Sequence, residues 1–202
     1  MQETVYTVPM ALTDFIPVLL FGISAVLLMR DLYNKMPKGA FACLDFGSCI
    51  AFLAGFLKAL YKLLIAAGVG EFPLLNTLFL PLQSTGLLLT GLGIVLMLVL
   101  PKKAVPAMAP LTLGFIGMMV LGLGAMCAGL SVLAAKMKKK GLIPVFILCF
   151  FCYMGMGYLA SRGGESAASN WIEQGVNTLG QLLLLCGVHT LHRAGLKQLK
   201  LQ

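Results

Sequence analysis

Long apolar runs set the terms for what this chain can become. Six stretches stand out, at about 12–29, 42–66, 74–100, 109–135, 142–160 and 171–191. A helix needs roughly 20 residues to cross ~30 Å of hydrocarbon at ~1.5 Å per residue, and each stretch is near or above that length. Between them lie helix breakers and charges: Asn34 to Gly39, Gly68 to Glu71, Pro101 to Lys103, Lys136 to Gly141 and Ser161 to Asn170. Proline and glycine interrupt the helix there, and Lys and Arg hold the chain at the headgroups. Tyr6, Tyr33, Tyr61, Tyr158 and Trp171 fall near the ends of the runs, where an amphipathic ring suits the interface. A β-barrel would instead show alternating segments of about ten residues. The expected architecture is all-α, a polytopic membrane protein made of a bundle of six transmembrane helices, with residues 1–202 forming one integral membrane domain.

Composition agrees. Of 202 residues, 59% are hydrophobic and only 11% charged, whereas about a quarter of a soluble domain is charged. Fifteen Lys and Arg against seven Asp and Glu give a net charge of +8. Because the basic residues sit between apolar runs, their partner is anionic lipid headgroups, at ~1 kcal/mol each, and not nucleic acid. No Gly-rich phosphate-binding loop is present, and the polar connections are too short to fold alone, so no cofactor is expected. Met1-Gln2-Glu3-Thr4 lacks the positive start of a cleavable leader, so the first helix should be retained, with the cytoplasmic membrane of a prokaryote as the expected location.

Sliding the chain on itself by about 100 residues aligns Phe15-Ile16, Gly22 and Ala25 with Phe115-Ile116, Gly122 and Ala125, and Asn76-Thr77-Leu78 with Asn177-Thr178-Leu179. This suggests two halves, 1–103 and 104–202. Three helices per half is an odd number, so six crossings would place the halves as a 3+3 inverted repeat. Charge is consistent with that arrangement. With Lys58 and Lys62 set aside inside a span, Arg30, Lys35, Lys38, Lys102, Lys103 and Arg162 fall on one face, and Lys136, Lys138, Lys139, Lys140, Arg193, Lys197 and Lys200 on the other. A simple six-helix protein should not split its basic residues so evenly. Either the halves are inverted, or one apolar stretch does not cross.

Polar side chains within spans are costly and mark candidate sites. Asn170, Glu173, Asn177 and Gln181 fall at i, i+3, i+7 and i+11, one stripe on a helix. Asn76, Gln83 and Thr90 form a second stripe on the third run. The two stripes would line a path for a small solute or ion, with Lys58, Lys62 and Asp45 setting its charge bias toward anions. Each has a plainer explanation. Asn170 and Glu173 have capping-box spacing, Asp14 and Asp45 are placed to cap helices, the amides serve as interhelical glue, and Lys58 and Lys62 can snorkel. Six cysteines lie in apolar runs, and Cys149 with Cys152 has redox spacing, yet buried thiols are inert. His189 and His192 are a weak metal candidate without a third ligand. Small residues, notably Gly86, Gly91, Gly93, Gly122, Gly129, Gly155 and Gly157, permit close helix contact. The leading expectation is a transporter or channel-like protein that assembles as a homo-oligomer. The alternatives are a non-catalytic membrane subunit, sensor or scaffold, and then a membrane-embedded enzyme, for which no catalytic constellation is visible.

Overall fold

A computed structural model of the chain describes residues 6–99, 115–162 and 167–199, all of them in helices or short turns. Helices α1 (Val8–Thr13) and α2 (Phe15–Leu32) follow one path, since the Asp14 amide still bonds the Met10 carbonyl at 3.3 Å. Helix α3 (Lys38–Ala66) ends at Gly68, where φ is +70°; the Val69 amide then reaches back to the Leu64 carbonyl at 3.0 Å. Helix α4 (Pro73–Thr77) leads into α5 (Phe79–Val99), and Pro81 sits in the first turn of α5, where a missing amide costs little. Helices α6 (Phe115–Lys136), α7 (Ile143–Arg162) and α8 (Ala167–Arg193) complete the set. Lys102, Lys103 and Lys200, named above, lie outside the described residues.

Among the described residues, five stretches are long and apolar enough to cross a membrane: Val8–Leu32, Lys38–Ala66, Pro73–Val99, Gly117–Lys136 and Lys140–Leu159. By length and composition this is a multi-pass membrane protein. Helix α8 has the length, at 27 residues, but Asn170, Glu173, Gln174, Asn177, Gln181 and His189 make it less apolar than the other five. Large apolar side chains such as Leu19, Val26, Phe46 and Phe151 point outward, as a lipid-facing surface requires.

Each long helix packs against its neighbour in the order α2, α3, α5, α6, α7, α8, and α8 closes the ring on α2. Glycines set the closest approaches and reveal the directions. Gly47 faces Gly86 and Thr90, while Gly93 faces Ala40 and Leu44, so α3 and α5 are antiparallel. Gly122 lies against Leu87 and Leu88, Gly91 against Ala125, and Gly129 against Ile94 and Leu98. Residue numbers rise together along both helices, so α5 and α6 are parallel. Gly22 meets Phe52 and Gly55 meets Val18, and Gly180 meets Cys152 and Gly187 meets Phe146, so the α2–α3 and α7–α8 pairs are antiparallel; α6 and α7, joined by a short turn and in contact at Gly124 and Phe150, form a third antiparallel pair.

This corrects the expectation of inversion. An inverted 3+3 arrangement needs the first helix of each half, α2 and α6, to run in opposite directions. The contacts run them the same way, as two up-down-up triplets in which the third helix of each packs on the first of the other. The charge puzzle disappears with it. Arg30, Lys35, Lys38, Lys136, Lys138, Lys139, Lys140, Arg193 and Lys197 all belong to one end of the ring, here termed the basic end. There α8 is latched to α2: His192 Nδ1 lies 2.7 Å from Asp31 Oδ2, Arg30 donates to His192 Nε2 at 2.6 Å, and Lys35 donates to the Leu199 carbonyl. The even split seen in the sequence arose from assuming strict alternation across the α5–α6 connection.

Candidate functional site

Toward the end opposite the basic one, the ring forms a half-open cavity of about 510 Å³, within the range of small-molecule sites. All six long helices contribute. The lining comes from the first halves of α2, α5, α6 and α8 and the second halves of α3 and α7, as the helix directions above require. Its floor is apolar, with Phe21, Leu87, Met119 and Leu123, and its walls carry the charged and amide groups.

Four of the six path residues belong to this site. Gln83, Glu173, Asn177 and Gln181 line the cavity, brought together from α5 and α8, which are not ring neighbours. Thr90 does not line it. It is buried between α3 and α5, where its hydroxyl donates to the Gly86 carbonyl at 2.8 Å and lies 3.4 Å from Ser48 Oγ. The sixth residue, Asn76, is exposed on α4 and is not among the residues that line the cavity. The capping-box explanation of Asn170 and Glu173 also fails, because α8 already starts at Ala167 and places both inside the helix.

Lys58 and Lys62 both face the cavity, but the expected charge bias does not follow. Asp45 is exposed near the start of α3, thirteen residues and hence ~20 Å of helix from Lys58. It caps nothing, since α3 begins at Lys38. The carboxylate that meets the lysines is Asp14, whose Oδ2 is 3.0 Å from Lys62 Nζ, with both side chains about nine-tenths buried. Sequence reasoning gave Asp14 only a capping role; the signal for its pairing is the antiparallel α2–α3 hairpin, which brings the start of one helix to the end of the other. Lys58 has no carboxylate within bridging distance among the described residues; its ammonium lies 4.0 Å from the centroid of the Phe79 ring. Glu173 lines another wall of the cavity. Two cations and two carboxylates thus leave the site without net charge.

The amides are placed to bind. Gln174 and Gln181 are each 6% exposed, and the Oε1 atoms of both, with that of Gln83, have no hydrogen-bond partner. A buried unsatisfied carbonyl costs about 1–3 kcal/mol, so these groups call for a bound partner or ordered water. Gln174 is absent from the sequence stripe, which runs through its neighbour Glu173; at i−3 from Asn177 it shares the same face. Tyr153 and Tyr158 add ring edges from α7.

Other candidates resolve differently. His192 is held by Asp31 and Arg30 at the basic end, with the His189 ring 6.3 Å away, and no group of three or more metal-ligating side chains occurs among the described residues. The Cys149 thiol donates to the Gly180 carbonyl at 3.3 Å and ties α7 to α8. Gly155 and Gly157 meet nothing within 4 Å, so the close-contact role expected of them falls to Gly47, Gly86, Gly91 and Gly122.

The buried ion pair makes a sharp prediction. Asp14→Asn leaves Lys62 charged, buried and uncompensated, and is expected to cost about 3–5 kcal/mol of stability. The double variant Asp14→Asn/Lys62→Met should recover most of that. Thermal unfolding in detergent checks both; equal stability of Asp14→Asn and the wild-type protein would show that the pair is open to water.

No protein-family model matches the sequence, and no curated protein or solved structure matches it either.

Proposed function

We propose that the protein carries a small polar solute across the membrane, with the cavity as its binding site and the basic end facing the cytoplasm. The observation that carries this reading is the half-open cavity itself, lined by every long helix and holding buried amide oxygens with no partner. A scaffold has no need of such a space, since packing of apolar side chains would fill it more favourably. The two up-down-up triplets both contribute to the cavity, so a shift of one against the other would change access to it. The orientation follows from positive-inside bias, because nine basic residues gather at one end.

The test uses proteoliposomes loaded with an isotope-labelled extract of small metabolites. Protein-dependent release of particular labelled compounds is expected, falling at least about tenfold in Gln83→Leu and Asn177→Leu, which remove hydrogen-bonding groups worth ~1.5 kcal/mol or more. Leu182→Ala, on an exposed position of α8, should transport normally. Absence of any protein-dependent release, or release untouched by both cavity substitutions, overturns the reading. Recovery of a stoichiometric partner lost in those variants would favour the scaffold instead.

A further inference from the structure

The cavity holds two charges that the protein does not pair with each other at bridging distance, and they are opposite in sign. Lys58, on α3, has the Phe79 ring against its ammonium and no carboxylate at bridging distance among the described residues, and Glu173, on α8, lines another wall of the same cavity. Lys62 is already matched by Asp14 at 3.0 Å. A net anion would gain Lys58 but meet Glu173; a net cation would meet the reverse. A solute neutral overall, with one cationic and one anionic group, satisfies both without leaving a charge uncompensated in a low-dielectric space. Around those groups the site supplies the Oε1 atoms of Gln174 and Gln181, both buried and without a partner, to accept the N–H bonds of an ammonium. The floor of Phe21, Leu87, Met119 and Leu123 is apolar and suits a hydrocarbon side group.

We propose that the solute is a small zwitterion of the α-amino-acid type. Its carboxylate lies on Lys58, its ammonium between Glu173 and the amide oxygens of α8, and its side chain on the apolar floor. This deepens the carrier reading and rests on it for function, though the binding site stands by itself. It also replaces the anion preference that Lys58 and Lys62 suggest in isolation.

The experiment is binding to the full-length protein in detergent, followed by calorimetry and by thermal shift. The probes are L-leucine and L-phenylalanine, each beside the amine that lacks its carboxylate and the acid that lacks its ammonium. Expected is binding of at least one amino acid, with both of its truncated analogues at least about tenfold weaker. Lys58→Gln and Glu173→Gln should each weaken the amino acid by a similar factor, with unfolding temperatures confirming that both variants are folded. Binding of the acid analogue as tightly as the amino acid, with Glu173→Gln unaffected, would make this an anion site and overturn the proposal; so would binding of neither amino acid. Release of uncharged or anionic compounds from proteoliposomes with no zwitterion among them would sink this inference and leave the carrier reading standing. Amino-acid binding without any release would do the opposite.

Discussion

Cysteines placed at Asn34 and at Lys139 are expected to react with an impermeant maleimide from the same side of the membrane, and a cysteine at Val69 from the other. All three positions are exposed in turns between long helices, and the native cysteines would first be replaced. The expectation follows from the parallel course of α5 and α6. Counting alternate crossings through six apolar runs puts Asn34 and Lys139 on opposite faces. The contacts of Gly122 with Leu87 and Leu88, and of Gly129 with Ile94 and Leu98, put them on one. The outcome is all-or-none in labelling, so no calibration of energies enters. Protection of Asn34 and Lys139 from outside, with labelling after permeabilisation, would place the basic end in the cytoplasm. Labelling of the two from opposite faces would mean that α5 and α6 are antiparallel and would restore the inverted arrangement.

Gly91→Leu and Gly122→Ala are expected to be the most damaging single substitutions in the bundle. A Cβ at Gly91 would overlap the Gly122 carbonyl oxygen and approach Ala125 Cβ to 3.0 Å; one at Gly122 would run into the backbone at Leu87 and Leu88. Backbone cannot swing aside as the tip of a side chain can, so α5 and α6 must separate along their length. Overpacking of a tight core costs about 1–3 kcal/mol where neighbours can shift, and more where they cannot. About 3 kcal/mol or more is expected here, together with loss of the dispersion contacts that hold helices together in lipid. Gly155→Ala is the control, since nothing lies within 4 Å of an added Cβ there. It should leave stability within about 1 kcal/mol of wild type, helped by alanine's better helix propensity. Unfolding by SDS, followed by circular dichroism, measures all three. Tolerance of Gly91→Leu would show that α5 and α6 do not touch at this point.

Several features were legible without coordinates. Runs of about 20 apolar residues can only be satisfied as helices in hydrocarbon, because no water is present to hydrogen-bond an open backbone. That fixes the all-helical class and, within a few residues, the ends of most elements. The stripe of Glu173, Asn177 and Gln181 was readable too, because helical periodicity is local and places those side chains on one face whatever surrounds them. Lys58 and Lys62 at i, i+4 share a face for the same reason.

Asn76 shows where such reasoning stops. Its spacing from Gln83 is right for a common face, yet it lies exposed on α4, two turns short of the depth at which Gln83 meets the cavity, and spacing alone does not say where along a helix a cavity ends. Thr90 does share the helix, yet its face is taken by α3, and only the neighbour decides whether a hydroxyl meets a cavity or a backbone carbonyl. Asp45 and Asp14 both resembled caps. One is exposed, and the other is the counter-ion of Lys62, because pairing between residues 48 positions apart depends on how α2 lies against α3.

By itself, then, the sequence determined what each segment is: helical, apolar, long enough to span a bilayer, and polar along one face of α8. Those properties follow from backbone hydrogen bonding and from residue spacing, which act over a few turns. Which way each helix runs and which faces meet was decided by tertiary structure alone. The parallel α5–α6 contact, the pairing of Asp14 with Lys62, and the convergence of Lys58 and Glu173 on one cavity all join residues that are distant in the chain. The physical reason is that helix packing in lipid turns on shape, above all on where glycine lets two backbones approach, and apolar runs of similar composition do not encode that in any local pattern.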